Sequence, residues 1–253
     1  MNLSGIILSL LVRTAFLSIT IEYFFYNYLF TYDYIKIYII FLAVFSHFIT
    51  SIRDPGVIDI RMNGEHKKYI DKKHGNILKP ESAHWCSTTN SMILGLDHFC
   101  PWINNSIGIL NFKSFFLFNI YTCIACIIHL LSTVDRGLKC SRFSRQYCFN
   151  TSKNYIIYFI MINIFLAFFG FIFTYVMTMD CITRIKYNLT LIDRLQNKTN
   201  KTSFRKTFKN LMGNSIFTVF LPIDFSHAKR TFDTEINKTL TILSRNNICK
   251  YNE

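Results

Sequence analysis

The sequence predicts an all-α polytopic membrane protein, with four spanning helices in two hairpins and a polar domain between helices two and three. Three observations carry this. Hydrophobic residues make up 51% of the chain and aromatic residues 17%, with 9 Gly and 4 Pro among 253 residues, a balance that suits a membrane protein better than a soluble one. Two stretches, 115–134 and 155–179, are long, apolar and free of Lys, Arg, Asp and Glu, and a bilayer-spanning helix needs roughly 20 mostly apolar residues. Two further apolar stretches precede them near the N-terminus.

Helix one is expected over 6–30, where Arg13 and Glu22 interrupt the apolar run. A signal peptide fits poorly: the stretch is long, its far end is bulky and aromatic, and no small-residue cleavage site is evident. Helix two is expected over 35–52, with Lys36 near its start and a very short turn at 31–34. The organisation is then a hairpin over 1–52, a polar domain over 53–113, a second hairpin over 114–180 and a basic tail over 181–253.

Four spans put both termini and the central domain on one side. Arg53, Arg61, Lys67, Lys68, Lys72, Lys73, Lys79 and Lys113 lie there, followed by a tail rich in Lys and Arg from Arg184 to Lys250. The positive-inside rule makes this side cytoplasmic, although the opposite loop also carries Arg136, Lys139, Arg142, Arg145 and Lys153. The net charge of +13 is that of faces near anionic lipid, and no nucleic-acid-binding module is predicted. On the far side, Cys140 and Cys148 are spaced for a disulfide in a permissive compartment. Arg13, Glu22, Asn119, His129 and Asn163 are polar groups in or near the spans; hydrogen-bonded helix contacts are the expected use of such groups.

The chemistry concentrates in "LDHFCPWINN", which sets Asp97, His98 and Cys100 within four positions shortly before helix three. A thiol is a strong nucleophile once deprotonated, and a nearby imidazole can act as its base. Asp97 is suited to fix the imidazole tautomer. The short motif by itself leaves three readings open: a nucleophile with its base, a fragment of a metal site, or an aromatic-rich loop.

The wider stretch from Lys79-Pro80 to Phe115 resembles the cysteine-rich domain of DHHC-type protein S-acyltransferases. The matching positions are His84-Trp85-Cys86, then Asp97-His98-Phe99-Cys100-Pro101-Trp102, then Asn104-Asn105, Ile107-Gly108 and Asn111 to Phe115. Asp54-Pro55-Gly56 after the second span, Thr190-Leu191-Ile192-Asp193 after the fourth, and Gly213 with Leu221-Pro222 in the tail are also similar to family marks. The resemblance implies an acyltransferase that forms an acyl-enzyme on Cys100 from palmitoyl-CoA. His98 would take the proton, Asp97 would orient His98, and a tunnel among the four helices would hold the chain. Cysteines of membrane or membrane-associated proteins at the cytoplasmic face would receive it. The implied location is an endomembrane, ER or Golgi. Lys72, Lys73 and Lys79 are candidates to meet the CoA phosphates.

The same resemblance implies two structural zinc ions, and here the sequence departs. For the first site Lys72 and Gly75 stand at the Cys positions, Trp85 at a His position and Met92 at a Cys position. For the second, Cys86 remains, while Thr89, Phe99 and Ser106 replace the other ligands. Tetrahedral zinc needs four ligands, chiefly Cys and His, so the domain is expected to be zinc-free and to need no cofactor, with a small apolar core in place of the metals. Leu191, Asp193 and Thr207 also depart from family residues expected to support the site. A catalytically inactive interaction protein or small carrier derived from the family is the alternative.

Overall fold

The computed structural model describes residues 3–22, 31–58, 80, 82–143, 155–200, 202–223 and 225–245. Four helices are long and apolar enough to cross a membrane: α1 (Leu3–Ile21), α2 (Thr31–Ile52), α3 (Phe112–Phe143) and α4 (Tyr155–Tyr187). α2 packs on α3 and α3 on α4. The chain is a multi-pass membrane protein. Its outer helix faces are apolar, with Leu131, Phe165 and Val176 exposed, while the polar groups of the spans turn inward, as an apolar solvent requires.

Those inward polar groups pair between helices. Asn163 donates to Glu22 at 2.8 Å, Lys36 Nζ lies 3.2 Å from His129 Nδ1, and Arg136 donates to Asp33 at 2.7 Å. Glu22, Asp33, Lys36, His129, Arg136 and Asn163 are all buried. The polar groups Glu22, His129 and Asn163, expected as helix contacts, are such contacts.

Of the element boundaries that differ from expectation, two bear on the pairing of the helices and the site. Residues 31–34 are the first turn of α2 rather than a turn between helices. Asp33 sits in that turn, where a carboxylate favours the positive end of the helix dipole, and its pairing with Arg136 holds it inside the bundle. α4 continues past the apolar stretch to Tyr187, so Cys181 and Arg184 ride on a rigid helix instead of opening a tail. The spaced pair Cys140 and Cys148, and Lys72, Lys73, Gly75 and Lys79, lie outside the residues whose side chains are described.

Between α2 and α3 the central domain forms two short antiparallel hairpins, β1 (Ala83–Cys86) with β2 (Ser91–Leu94) and β3 (His98–Cys100) with β4 (Asn105–Ile107). An all-α reading of the spans did not name them. They are bound to the membrane helices by main-chain and amide contacts. The Asn105 side chain donates to Thr50 O at 3.0 Å and Arg53 O at 2.8 Å, which satisfies carbonyls left open at the end of α2. Asp54 Oδ1 accepts from the Gly56 and Val57 amides at 2.8 and 2.9 Å, the side-chain turn that Asp favours. Leu94 N then donates to Gly56 O and Ile58 N to Met92 O. At Gly108 the backbone passes so close to this turn that a Cβ would stand 2.2 Å from Pro55 O, so no other residue fits. Asn111 closes the loop before α3, accepting from Gly108 N at 2.9 Å and donating to Ser106 O at 2.8 Å.

After α4 come α5 (Leu191–Leu195), α6 (Phe204–Met212), α7 (Ile216–Phe220) and α8 (Ser226–Arg245). α6 packs on α4, α3 and α8. Lys113 donates to Thr218 O, and Tyr121 to Phe220 O, fixing α7 against the start of α3.

Candidate functional site

Strand geometry assembles the site. Side chains alternate along a strand, so His98 and Cys100 of β3 share one face and Phe99 takes the other. Asp97 precedes them and accepts from His98 Nδ1 through Oδ2 at 2.9 Å. That bond leaves Nε2 for chemistry, and Nε2 is buried and has no hydrogen-bond partner among the described groups. Cys100 is 3% exposed, and its sulfur acts electrostatically on the imidazole. The Phe115 ring meets the His98 ring edge-on, with centroids 5.5 Å apart. The three residues singled out in the sequence are thus brought together.

Both oxygens of Asp97 are engaged. Oδ1 accepts from the Leu191 amide at 2.8 Å and lies 3.4 Å from Arg184 NH1. Arg184 also donates to Gly95 O at 2.9 Å, and its guanidinium lies 4.2 Å from the Phe112 ring centroid. Burial works to raise the Asp97 carboxyl, but His98, Arg184 and the Leu191 amide outweigh it and hold it at about 2. Burial likewise works to lower His98, yet the hydrogen bond to Asp97 and the Cys100 sulfur lift it to about 9. The arrangement favours an imidazolium beside the sulfur and can pass a proton between Cys100 and an outside group.

The substituted motif after α4 packs against the site. At Leu191 the contact to Asp97 is made by the backbone amide, which does not depend on the side chain. Thr190 and Asp193 form a reciprocal capping box on α5, a common way to satisfy the first amides of a helix. Asp193 Oδ1 pairs with His84 Nε2 at 3.0 Å and with Lys198 at 2.8 Å, and these partners hold its carboxyl below the usual range against burial. Thr207 is buried in α6 with its hydroxyl 3.4 Å from Ser203 O.

Next to the strand lies an apolar cavity of about 390 Å³ between α1, α3 and α4. Leu11, Phe16, Trp102, Phe118, Leu166 and Phe173 are among its lining residues. Trp102, two residues from Cys100, is one of its lining residues. His47 Nε2 lies 3.1 Å from Trp102 O, and the Trp102 and Phe173 rings are 5.6 Å apart.

Comparison with known proteins agrees with this geometry. The family model described as DHHC palmitoyltransferase matches residues 65–198, more than half of the chain. The chain belongs to the DHHC palmitoyltransferase family. It is 29% identical over 191 residues to the Danio rerio protein named palmitoyltransferase ZDHHC3-A, covering 70% of this chain and 60% of that protein. It is 31% identical over 170 residues to palmitoyltransferase ZDHHC7 of Rattus norvegicus, covering 62% and 54%. Over a 60-residue stretch it is 43% identical to palmitoyltransferase ZDHHC2 of Mus musculus. The chain thus spans little more than half the length of the first two relatives.

Against the family pattern, the positions of the second zinc site come together here without a ligand set. Ser106 donates to Cys86 Sγ at 3.3 Å, and Thr89 Oγ1 lies 3.4 Å from Ser106 Oγ and 2.8 Å from Ser91 Oγ. Phe99, the cross-strand partner of Ser106, packs with Cys86, Ile93, Leu96 and Ile192. One thiol, two hydroxyls and a phenyl ring do not fit tetrahedral zinc. Of the first site, Trp85 and Met92 pack together with Ile58, Ala83, Leu94 and the α8 residues Phe232 and Ile236. Two apolar clusters therefore occupy the region where a single small core was expected.

Sequence reasoning missed Arg184 and His47. Arg184 entered it only as one of many tail cations, and a cation six residues before Thr190-x-x-Asp193 is the signal that was available. His47 lay unremarked in an apolar helix.

The direction of the His98 shift gives a test. A group raised from 6.5 to about 9 on folding adds stability that is full below pH 6.5 and is lost as pH rises through about 9. In thermal unfolding, the advantage of the wild type over His98→Gln is expected to be largest below pH 6.5 and to narrow toward pH 9. An advantage that grows over this range contradicts the imidazolium.

Proposed function

We propose that this protein is a protein S-acyltransferase that moves a long acyl chain, such as palmitoyl, from acyl-CoA to protein cysteines through an acyl-enzyme on Cys100. The observation that supports this reading best is the Asp97–His98 hydrogen bond with Cys100 on the same strand face, beside an apolar cavity. His98 takes the proton of Cys100, and the thiolate attacks the thioester carbonyl carbon. The carbonyl re-forms as the CoA sulfur leaves, which takes the proton from His98. A substrate cysteine then attacks the acyl-enzyme with the same exchange of a proton at His98, and Cys100 is regenerated. Asp97 stabilises the imidazolium in both halves.

The cavity suits the chain because each buried CH₂ is worth about 0.8 kcal/mol. Trp102 in its lining lets the thioester sit at Cys100 while the chain points among α1, α3 and α4. In this reading the central domain and tail face the cytoplasm of an endomembrane, where acyl-CoA and membrane-associated protein substrates are met.

The protein given labelled palmitoyl-CoA is expected to acquire a hydroxylamine-sensitive label on Cys100. Cys100→Ser should lose all of it, and His98→Ala should slow it by roughly 100-fold or more, as general-base loss does. Labelling that persists in Cys100→Ser, or none in the wild type, supports an inactive interaction protein instead.

The domain is also proposed to fold without zinc. The hydroxyl and thiol hydrogen bonds around Ser106 and the cluster of Trp85 and Met92 supply what metal binding supplies elsewhere. Elemental analysis of the purified protein should find well under one zinc per chain, and a chelator should leave Cys100 labelling unchanged. Stoichiometric zinc whose removal abolishes labelling contradicts this.

A further inference from the structure

The Asp97 carboxylate is buried, and His98 is the partner through which it meets the reacting thiol. A thiolate–imidazolium pair adds no net charge to it, so Asp97, His98 and Cys100 together would carry one negative charge inside the protein. A buried charge without compensation is costly. Arg184, brought from α4, is 4% exposed, stacked on Phe112 and anchored on Gly95 O. It brings the sum to zero.

We propose that Arg184 is a positioning residue for this reaction, whose guanidinium balances and orients the Asp97 carboxylate so that the Cys100 thiolate and the His98 imidazolium can form in a buried site. The chemical use of that thiolate rests on the acyltransferase reading. The geometry separates Arg184 from the other charges nearby. From α4, Arg184 is paired with Asp97, and the buried thiol of Cys181 lies close enough to feel the Asp97 charge. Asp180, also on α4, is committed to Arg194 of α5 at 2.5 Å. From α5 the Leu191 amide reaches Oδ1. His84 on β1 is held by Asp193, which Lys198 also neutralises. From α3 only the Phe115 ring meets His98. Arg184 is therefore the cation, among the described residues, that is paired with Asp97 besides His98 itself.

The fork of Arg184 also explains its hold. One nitrogen takes Gly95 O and the other lies near Asp97, so the guanidinium measures the distance from the loop before β3 to the acid. The ring of Phe112 covers its face. A lysine keeps the charge but cannot span both acceptors in this way.

Removing a cation favours the protonated form of every group beside it, by about one to three pH units at this distance. A loss of folding changes only how much protein reacts. The test is the pH dependence of Cys100 modification by methyl methanethiosulfonate, read by mass on the Cys100 peptide from about pH 5 to about pH 10. It is run on the full chain in detergent for wild type, Arg184→Gln and Arg184→Lys, with palmitoyl-CoA labelling in parallel.

In Arg184→Gln the whole profile is expected to move up by about one pH unit, so that modification near neutral pH slows about tenfold. Arg184→Lys should recover most of the shift. KM for palmitoyl-CoA should stay unchanged while the labelling rate falls. If Arg184→Gln aggregates, Arg184→Lys carries the test through a smaller shift in the same direction. A reduced amplitude with an unmoved profile overturns the proposal, as does a shift to lower pH. A shifted profile in a protein that palmitoyl-CoA never labels sustains the role of Arg184 and sinks the acyltransferase reading. A wild-type Cys100 that no reagent reaches at any pH sinks both.

Discussion

The structure depends on one carboxylate. Asp97 joins the end of α4, the first amide of α5 and the strand that carries His98 and Cys100, with Arg184, Leu191 and His98 as its partners. Besides this junction, Asn105, His47 and the backbone contacts around Gly56 and Gly108 tie the membrane helices to the small domain. Through Asp97, the orientation of the imidazole is set by the position of a helix that begins on the other side of the membrane. Hydrogen bonds to a buried charge are worth more than neutral ones, about 1.5–3 kcal/mol each; two meet here, from His98 and the Leu191 amide, beside the Arg184 ion pair.

In the zinc-free reading proposed above, the small domain keeps its fold with other contacts in place of metal ligands. Metal sites hold short hairpins by bridging them, and few residues are then needed for a core. Here each bridge is rebuilt in a different chemistry. Around Ser106 it is a chain of hydroxyl and thiol hydrogen bonds linking β4 to β1 and its turn. Around Met92 it is apolar contact extended by Phe232 and Ile236 of α8. The C-terminal helix therefore takes part in the domain.

The spans were legible in the sequence because lipid demands long apolar runs, and Asp97, His98 and Cys100 were legible because they stand within four positions of one motif that resembles a known family. The limits of α2 and α4 were not. Charge ends an apolar stretch before it ends a helix, so Asp33 and Arg184 looked like flanks. The contacts of Leu191 were hidden for a different reason: a backbone amide leaves no trace in the side chain, and the loss of a hydroxyl there looked like damage. Arg184 and His47 act through partners 87 and 55 residues away, separations that no local pattern encodes.

The junction at Asp97 can be measured without reference to activity. Hydrogen exchange at the Leu191 amide reports directly on its bond to Asp97. In Asp97→Ala, exchange in a peptide covering 190–195 should quicken on the order of tenfold or more, the expected loss of a charged hydrogen bond, while the amides that pair β1 with β2 keep their protection. Unchanged exchange at Leu191, or equal loss of protection throughout the central domain, would contradict the role given to Asp97.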